Sequence, residues 1–128
     1  MANQEHLAIL KQGIEVWNTW RREQTNVKPD LSWTNLSKAD FSCANLSKTD
    51  FCGTDLSGSY FRWANLSGSY FKWANLSGAV FEDADLSGAN LSDLELSDVD
   101  LSGADLRGAI INASDLGWTN LVGQLASE

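Results

Sequence analysis

The chain is poor in the residues on which most chemistry and covalent scaffolding depend. Its 128 residues include one proline, one methionine, one histidine and two cysteines. The lone histidine, His6, lies near the amino terminus, so acid–base, nucleophilic and metal-ligating constellations lack their commonest member. Cys43 and Cys52 are too few for a disulfide-stapled scaffold and do not have the CxxC spacing of a zinc site, so they read as buried or idle thiols. Positive charge is scarce as well. Against 17 Asp and Glu stand 9 Lys and Arg, a net charge of −8, which argues against an ordinary nucleic-acid binder and disfavours an anionic membrane surface. No apolar run approaches the roughly 18–20 residues of a membrane span, and no basic stretch leads into an apolar one at the amino terminus. The expectation is one soluble, cytoplasmic domain.

What the chain has in abundance is a period of five. From Leu31 to Leu121 every fifth residue is Leu, Phe or Ile, nineteen in succession. Two residues before this centre the side chain is nearly always small, with Pro29, Leu94 and Val99 as exceptions; one residue before it stands Asp or Asn in 14 of 19 units; Ser commonly follows it. A period of five matches neither a helix at 3.6 nor a long strand at 2.0, but it does match a short extended piece followed by a turn. In extended chain the small residue and the centre share the inward face, and the Asp or Asn between them points out. Eight of the ten glycines fall two residues after a centre, where a type II turn requires positive φ. At the corners occupied by Trp33, Lys38, Trp63 and Asp83 another turn type is expected. If each quintet forms one side, four sides close a twenty-residue coil, and coils stacked at about 4.8 Å pair their backbones.

Units such as Ala39-Asp40-Phe41, Ala64-Asn65-Leu66-Ser67-Gly68 and Ala104-Asp105-Leu106 resemble the A(D/N)LXX repeats of the pentapeptide-repeat family over residues 29–123. The resemblance implies an all-β solenoid, a right-handed quadrilateral β-helix of about 4.75 coils at twenty residues per coil. In that fold Phe41, Phe61 and Phe81 stack on one side and Phe51 and Phe71 on the opposite one, while Leu94 and Val99, too large for their positions, force a local bulge or widening. Ahead of the repeats, Leu7, Leu10, Ile14 and Trp17 form a helical stripe that predicts one helix over residues 4–23, capping the open end of the solenoid. The opening LxxLKQG…WNxWR is similar to that of short cyanobacterial members of the family. The chain therefore divides into a helical cap (1–28), the β-helix (29–123) and a tail (124–128), with the carboxyl end expected to fray or to pair weakly with a second copy.

No catalytic, cofactor or metal site emerges. The serines recur by register at turns, Cys43 and Cys52 fall on opposite sides of a square coil, and the Asp and Asn ladder reads more simply as local turn hydrogen bonding than as metal ligation. The tandem LSGSYFRWAN and LSGSYFKWAN replaces outward small and polar residues by Tyr60, Arg62, Trp63, Tyr70, Lys72 and Trp73. These form either a protein interface or self-packed surface clusters, on walls that face opposite ways, with Arg62 paired to Glu82. Glu82, Asp83, Asp93, Glu95 and Asp98 crowd the later coils as an acidic patch, a solubilising face or a site for a basic partner. The reading is a non-catalytic protein–protein interaction or scaffold module with an unidentified protein partner, no direct nucleic acid and no membrane, as a monomer or weak homodimer through the carboxyl-terminal coil. The alternative is a DNA mimic that binds a type II topoisomerase such as gyrase, as some family members do. The repeat region carries 13 acidic against 5 basic residues. A duplex of the same length, about 23 Å, shows about 13 charges, so mimicry would be partial.

Overall fold

The computed structural model describes residues 1–112, seventeen of the nineteen centres. The two remaining quintets, the tail from residue 124 and the expected carboxyl-terminal pairing lie outside the described residues. Twelve parallel bridges each join residue n to residue n + 20, from Asp30 with Asp50 to Asn90 with Ile110. Twenty residues are thus one coil and five are one side. The architecture is a right-handed four-sided β-helix whose walls carry isolated ladder pairs rather than long strands. In chain order, wall 1 holds centres Leu31, Phe51, Phe71, Leu91 and Ile111; wall 2 holds Leu36, Leu56, Leu76 and Leu96; wall 3 holds Phe41, Phe61, Phe81 and Leu101; wall 4 holds Leu46, Leu66, Leu86 and Leu106.

The described centres form an apolar column down the axis, all buried except Leu36 and Ile111, which are half-buried. Phe51, Phe61 and Leu66 are fully buried. On wall 3 the rings of Phe41, Phe61 and Phe81 stack at 5.2 and 4.7 Å; on wall 1 Phe51 and Phe71 stack at 5.2 Å, and Phe51 meets Phe61 edge-on across the axis at 6.4 Å. The sequence pattern of two aromatic and two aliphatic centres per layer is therefore a packing pattern, each centre contributing roughly 1.5–3 kcal/mol on burial. The small inward residue does more than leave room. Thr54, Ser59 and Ser69 donate their hydroxyls to the carbonyls of Leu31, Leu36 and Leu46, 23 residues earlier, at 2.8–2.9 Å. The Thr49 hydroxyl is buried without a partner because the residue 23 before it precedes the first coil.

Outside, the Asp or Asn before each centre accepts the backbone N–H two residues on, in all twelve described units that have one, as at Asp55 with Ser57 (3.0 Å). The following Ser usually adds its hydroxyl to the same oxygen, 2.6 Å from Ser57 to Asp55. These are Asx turns, which explains why Asp or Asn and then Ser recur in register.

Most corners close with a hydrogen bond from the N–H three residues past the centre, as from Ala44 to the Phe41 carbonyl at 3.0 Å. The corner residues correct one expectation. Trp33, Lys38, Trp63 and Asp83 adopt φ of 56–59°, the same left-handed backbone as Gly53 at 68°, so they use the glycine turn and not another type. Closure of the coil imposes that hand on whatever residue is there, at about 1–2 kcal/mol for a residue with a Cβ. Among the described corners Asp98 alone escapes it. Asp98 lies between Leu94 and Val99, which are buried at 4% and 2% exposure, and on that side no bridge joins Glu95 to Asn75. The bulge expected from these oversized residues is present on wall 2 of this coil. It sits where Leu91 and Leu101 replace phenylalanine, so added volume at the corner accompanies lost volume at the centre.

Gly53 has a second reason to be glycine. A Cβ there would collide with the Trp33 ring, whereas a Cβ on Gly78 would meet only the Gly58 backbone at 3.9 Å. Gly78→Ala is expected to lose about 1–2 kcal/mol, the left-handed strain alone. Gly53→Ala is expected to lose more and to displace Trp33, visible as a shift in tryptophan emission that Gly78→Ala does not produce. Equal losses and identical spectra would refute this reading.

The amino-terminal cap is two helices, α1 (Gln4–Lys11) and α2 (Ile14–Glu23), and not the single helix the apolar stripe predicts. Gly13 takes φ 110° and ψ 164°, a conformation closed to residues with side chains, and this redirects the chain between them. Asn3 caps α1 by accepting from the Glu5 and His6 N–H groups. The cap supplies the first coil with the partners that a preceding coil would have given. Trp17, fully buried, donates Nε1–H to the Asn45 carbonyl at 2.7 Å; Arg21 reaches the carbonyls of Asn45 (3.3 Å) and Ser47 (3.1 Å); Asn18 accepts the Asn45 N–H at 2.8 Å. Covering the edge in this way blocks strand addition there.

At the rim of the cap, the Asp30 N–H donates to Nδ1 of His6 at 3.0 Å, which requires that nitrogen to be unprotonated. Burial pulls His6 below its ordinary 6.5, with Arg21 acting in the same direction and Glu5 and Asp30 opposing. The unfolded chain therefore takes up the proton first as pH falls. The His6 contribution to stability is complete above pH 6.5 and declines as pH drops below it, until the folded value is reached. The difference in melting temperature between wild type and His6→Phe should change across pH 7.5 to 5; a pH-independent difference would contradict it.

Candidate functional site

The two aromatic clusters stand where the register puts them. Tyr60, Arg62 and Trp63 lie on wall 3 and its corner, Tyr70, Lys72 and Trp73 on wall 1 and its corner, with no ring contact between the clusters. At Tyr60 and Tyr70 the Asx acceptor is replaced by a large ring that stays 42% and 45% exposed; Trp63 and Trp73 are each 65% exposed. Cations lie on rings in both clusters: the Arg62 guanidinium carbon is 5.4 Å from the Tyr60 centroid and the Lys72 ammonium 4.6 Å from that of Trp73. Arg62 also bonds Glu82 at 2.9 Å, the expected pair one coil apart, with both side chains nearly half exposed, so its contribution is small. The clusters are thus internally packed and still wet on their outer faces.

A residue read from the sequence only as a corner joins the second cluster. Trp33, exposed at 58%, lies on the same corner column as Trp73 two coils away, and their ring centroids are 6.0 Å apart. Gly53, on the column between them, leaves the space that the Trp33 ring fills. The result is an aromatic strip running along the axis at the edge of wall 1, with Lys72 over one end. The signal in the sequence was the twenty-residue spacing Trp33, Gly53, Trp73.

The acidic residues do not gather on one face. Glu82 and Asp83 belong to wall 3 and its corner, Asp93 to the corner after wall 1, and Glu95 and Asp98 to wall 2 and its corner. Several are engaged locally: Glu82 with Arg62, Asp93 with Asn112 (3.2 Å), Glu95 with the Ser97 N–H (3.2 Å) and Asp98 with the Ser77 hydroxyl (2.9 Å). Among the described residues no cluster of His, Cys, Asp or Glu could hold a metal ion. Cys43 is an exposed free thiol and Cys52 a partly covered one on another wall. Burial, with the neighbouring Asp50, pushes the Cys52 thiol up to about 11, which holds it in the unreactive form at neutral pH. No helix among the described residues is long and apolar enough to cross a membrane.

The geometry agrees with the comparisons. No curated protein matches the chain. Among solved structures, a pentapeptide repeat protein from the Arabidopsis thaliana thylakoid lumen is 34% identical over 72% of this chain, with a TM-score of 0.67; this chain spans 64% of that one. A pentapeptide repeat protein from Nostoc Pcc 7120 is 30% identical, covering 80% of this chain and 92% of its own, with a TM-score of 0.61. The family profile for pentapeptide repeats matches eight copies, in overlapping segments that run from residue 30 to residue 123. With twenty-residue coils, a Leu and Phe column and Asx corners over the described part of that span, the chain belongs to the pentapeptide-repeat family.

Proposed function

We propose that this protein is a non-catalytic interaction module that presents side chains at fixed spacing on a rigid solenoid, with wall 1 as its main contact face. The observation that carries this reading is the Trp33–Trp73 strip: two large rings in contact with each other, more than half exposed, beside a lysine. Tryptophan and tyrosine on a rigid surface carry little entropy cost on binding and are enriched among interface hot spots. Tyr60, Arg62 and Trp63 on wall 3 form a second face of the same kind. Affinity capture from the native cell with wild type and a Trp33→Ala, Trp73→Ala variant tests the assignment. A protein retained by wild type and lost from the variant supports it, and identical capture by both overturns it.

A second reading is a duplex-DNA mimic acting on a topoisomerase, favoured by the excess of 13 acidic over 5 basic residues in the repeat region. The spread of Glu82, Asp83, Asp93, Glu95 and Asp98 over three sides gives this reading less support than the aromatic strip gives the first. Inhibition of gyrase supercoiling at micromolar protein would favour the mimic; no effect would dispose of it.

A further inference from the structure

The capped end carries a second feature, independent of the walls. Between α1 and α2 runs an open groove of about 360 Å³, lined by Ile9, Val16 and Trp20 with Glu15, Thr19 and Glu23 along its rim. That volume is at the lower end of the range for ligand sites. The floor is apolar and wet: Val16 is 42% exposed, and Ile9 and Trp20 are only half-buried. Glu15, Thr19 and Glu23 are spaced four residues apart on α2 and so form one row, placing the two carboxylates about 12 Å from each other along the helix. Both are exposed, and neither makes an ion pair among the described residues. The cations nearby do not line the groove: Arg22 lies in a neighbouring depression that Glu15 and Thr19 also line, where it donates to the Thr19 hydroxyl, and Arg21 is spent on the first coil. His6, whose ring centroid lies 5.0 Å from that of Trp20, does not line the groove and is held toward its neutral form.

We propose that this groove docks a short amphipathic helix of a partner protein, with a small apolar face bracketed by Lys or Arg. An apolar floor with a single rim of unpaired carboxylates complements that ligand in both hydrophobicity and charge. A helix whose basic residues are seven or eight positions apart spans about 10–12 Å, matching Glu15 and Glu23, and places apolar anchors between them over Val16 and Trp20. A second copy of this chain fits worse. Two α2 helices packed antiparallel about Thr19 would set Glu15 against Glu23 of the other copy, with a net charge of −8 on each chain.

The test is selection of random 14-residue peptides displayed against the full chain, followed by titration of the enriched sequences. The expected winners carry an apolar pair at i and i + 3 or i + 4 flanked by Lys or Arg. Val16→Asp should weaken them at least about tenfold by placing a charge on the floor. This variant keeps its fold, because Val16 is the third residue of α2, where a carboxylate favours the helix. Glu15→Gln with Glu23→Gln should weaken binding about fivefold and flatten its salt dependence. The Trp33→Ala, Trp73→Ala variant should bind these peptides like wild type, which keeps the fate of this proposal separate from that of the walls. Failure to enrich any peptide, enrichment of acidic sequences, or equal affinity for Val16→Asp would overturn it. So would sedimentation showing a wild-type dimer that Val16→Asp dissociates, since the occupant would then be a second copy.

Discussion

Phe61→Ala is expected to lose about 3–5 kcal/mol of stability, the range for emptying a fully buried aromatic site. Phe61 is 0% exposed and touches rings on three sides: Phe41 at 5.2 Å, Phe81 at 4.7 Å and, across the axis, Phe51 at 6.4 Å. A solenoid layer holds only four centres, so the neighbours that could relax into the space are few and are themselves pinned by the ladders above and below. A urea midpoint lowered by roughly 2 M, at a slope typical of small domains, is the expected reading. Phe61→Leu should lose far less, since wall 3 already accepts Leu101 at the equivalent position one coil beyond Phe81. A loss below about 1 kcal/mol for Phe61→Ala would mean that the column is not the main source of stability.

The second large effect falls on the cap. Trp17→Ala removes a fully buried ring and the donor to the Asn45 carbonyl, and a loss of about 3–5 kcal/mol is again expected. The two losses differ in kind. Emptying the column should leave a monomer that unfolds early, whereas loosening α2 uncovers the first coil, whose backbone groups at Asn45 and Ser47 then seek other partners. Trp17→Ala should therefore associate with rising concentration in light scattering while Phe61→Ala does not. Trp17→Phe, which keeps an aromatic ring but loses the N–H and part of the indole volume, should lose less than Trp17→Ala, about 1–3 kcal/mol. If Trp17→Ala stays monomeric and stable, the helices decorate the end of the solenoid without protecting it.

Much of this molecule was legible because its side chains obey a local rule. Which residues face inward and which carry the turn follow from position within the quintet, and Phe41, Phe61 and Phe81 stack because four quintets, the number the family resemblance implied, make one coil. The unreadable parts are those imposed by closure or by distance along the chain. Trp33 and Lys38 sit in left-handed backbone because the coil must turn there, against their own preference, so residue type misled the turn assignment. The break at Gly13 was masked by an apolar stripe that continues in phase across it. Trp33 was overlooked as part of the aromatic face because its partner, Trp73, is forty residues away and becomes a neighbour only through the gap at Gly53. The Asx corners were readable, since their donor and acceptor lie two residues apart.

The n to n + 20 register makes chain separation an angular coordinate. Five residues swing a side chain through a right angle and ten through half a revolution, while twenty return it to the same bearing one step of about 4.8 Å along the axis. An insertion of one quintet would leave every buried residue buried and rotate everything beyond it by a quarter of a circle, so the compass direction between two surface features of this rod is written in the number of repeats that separates them.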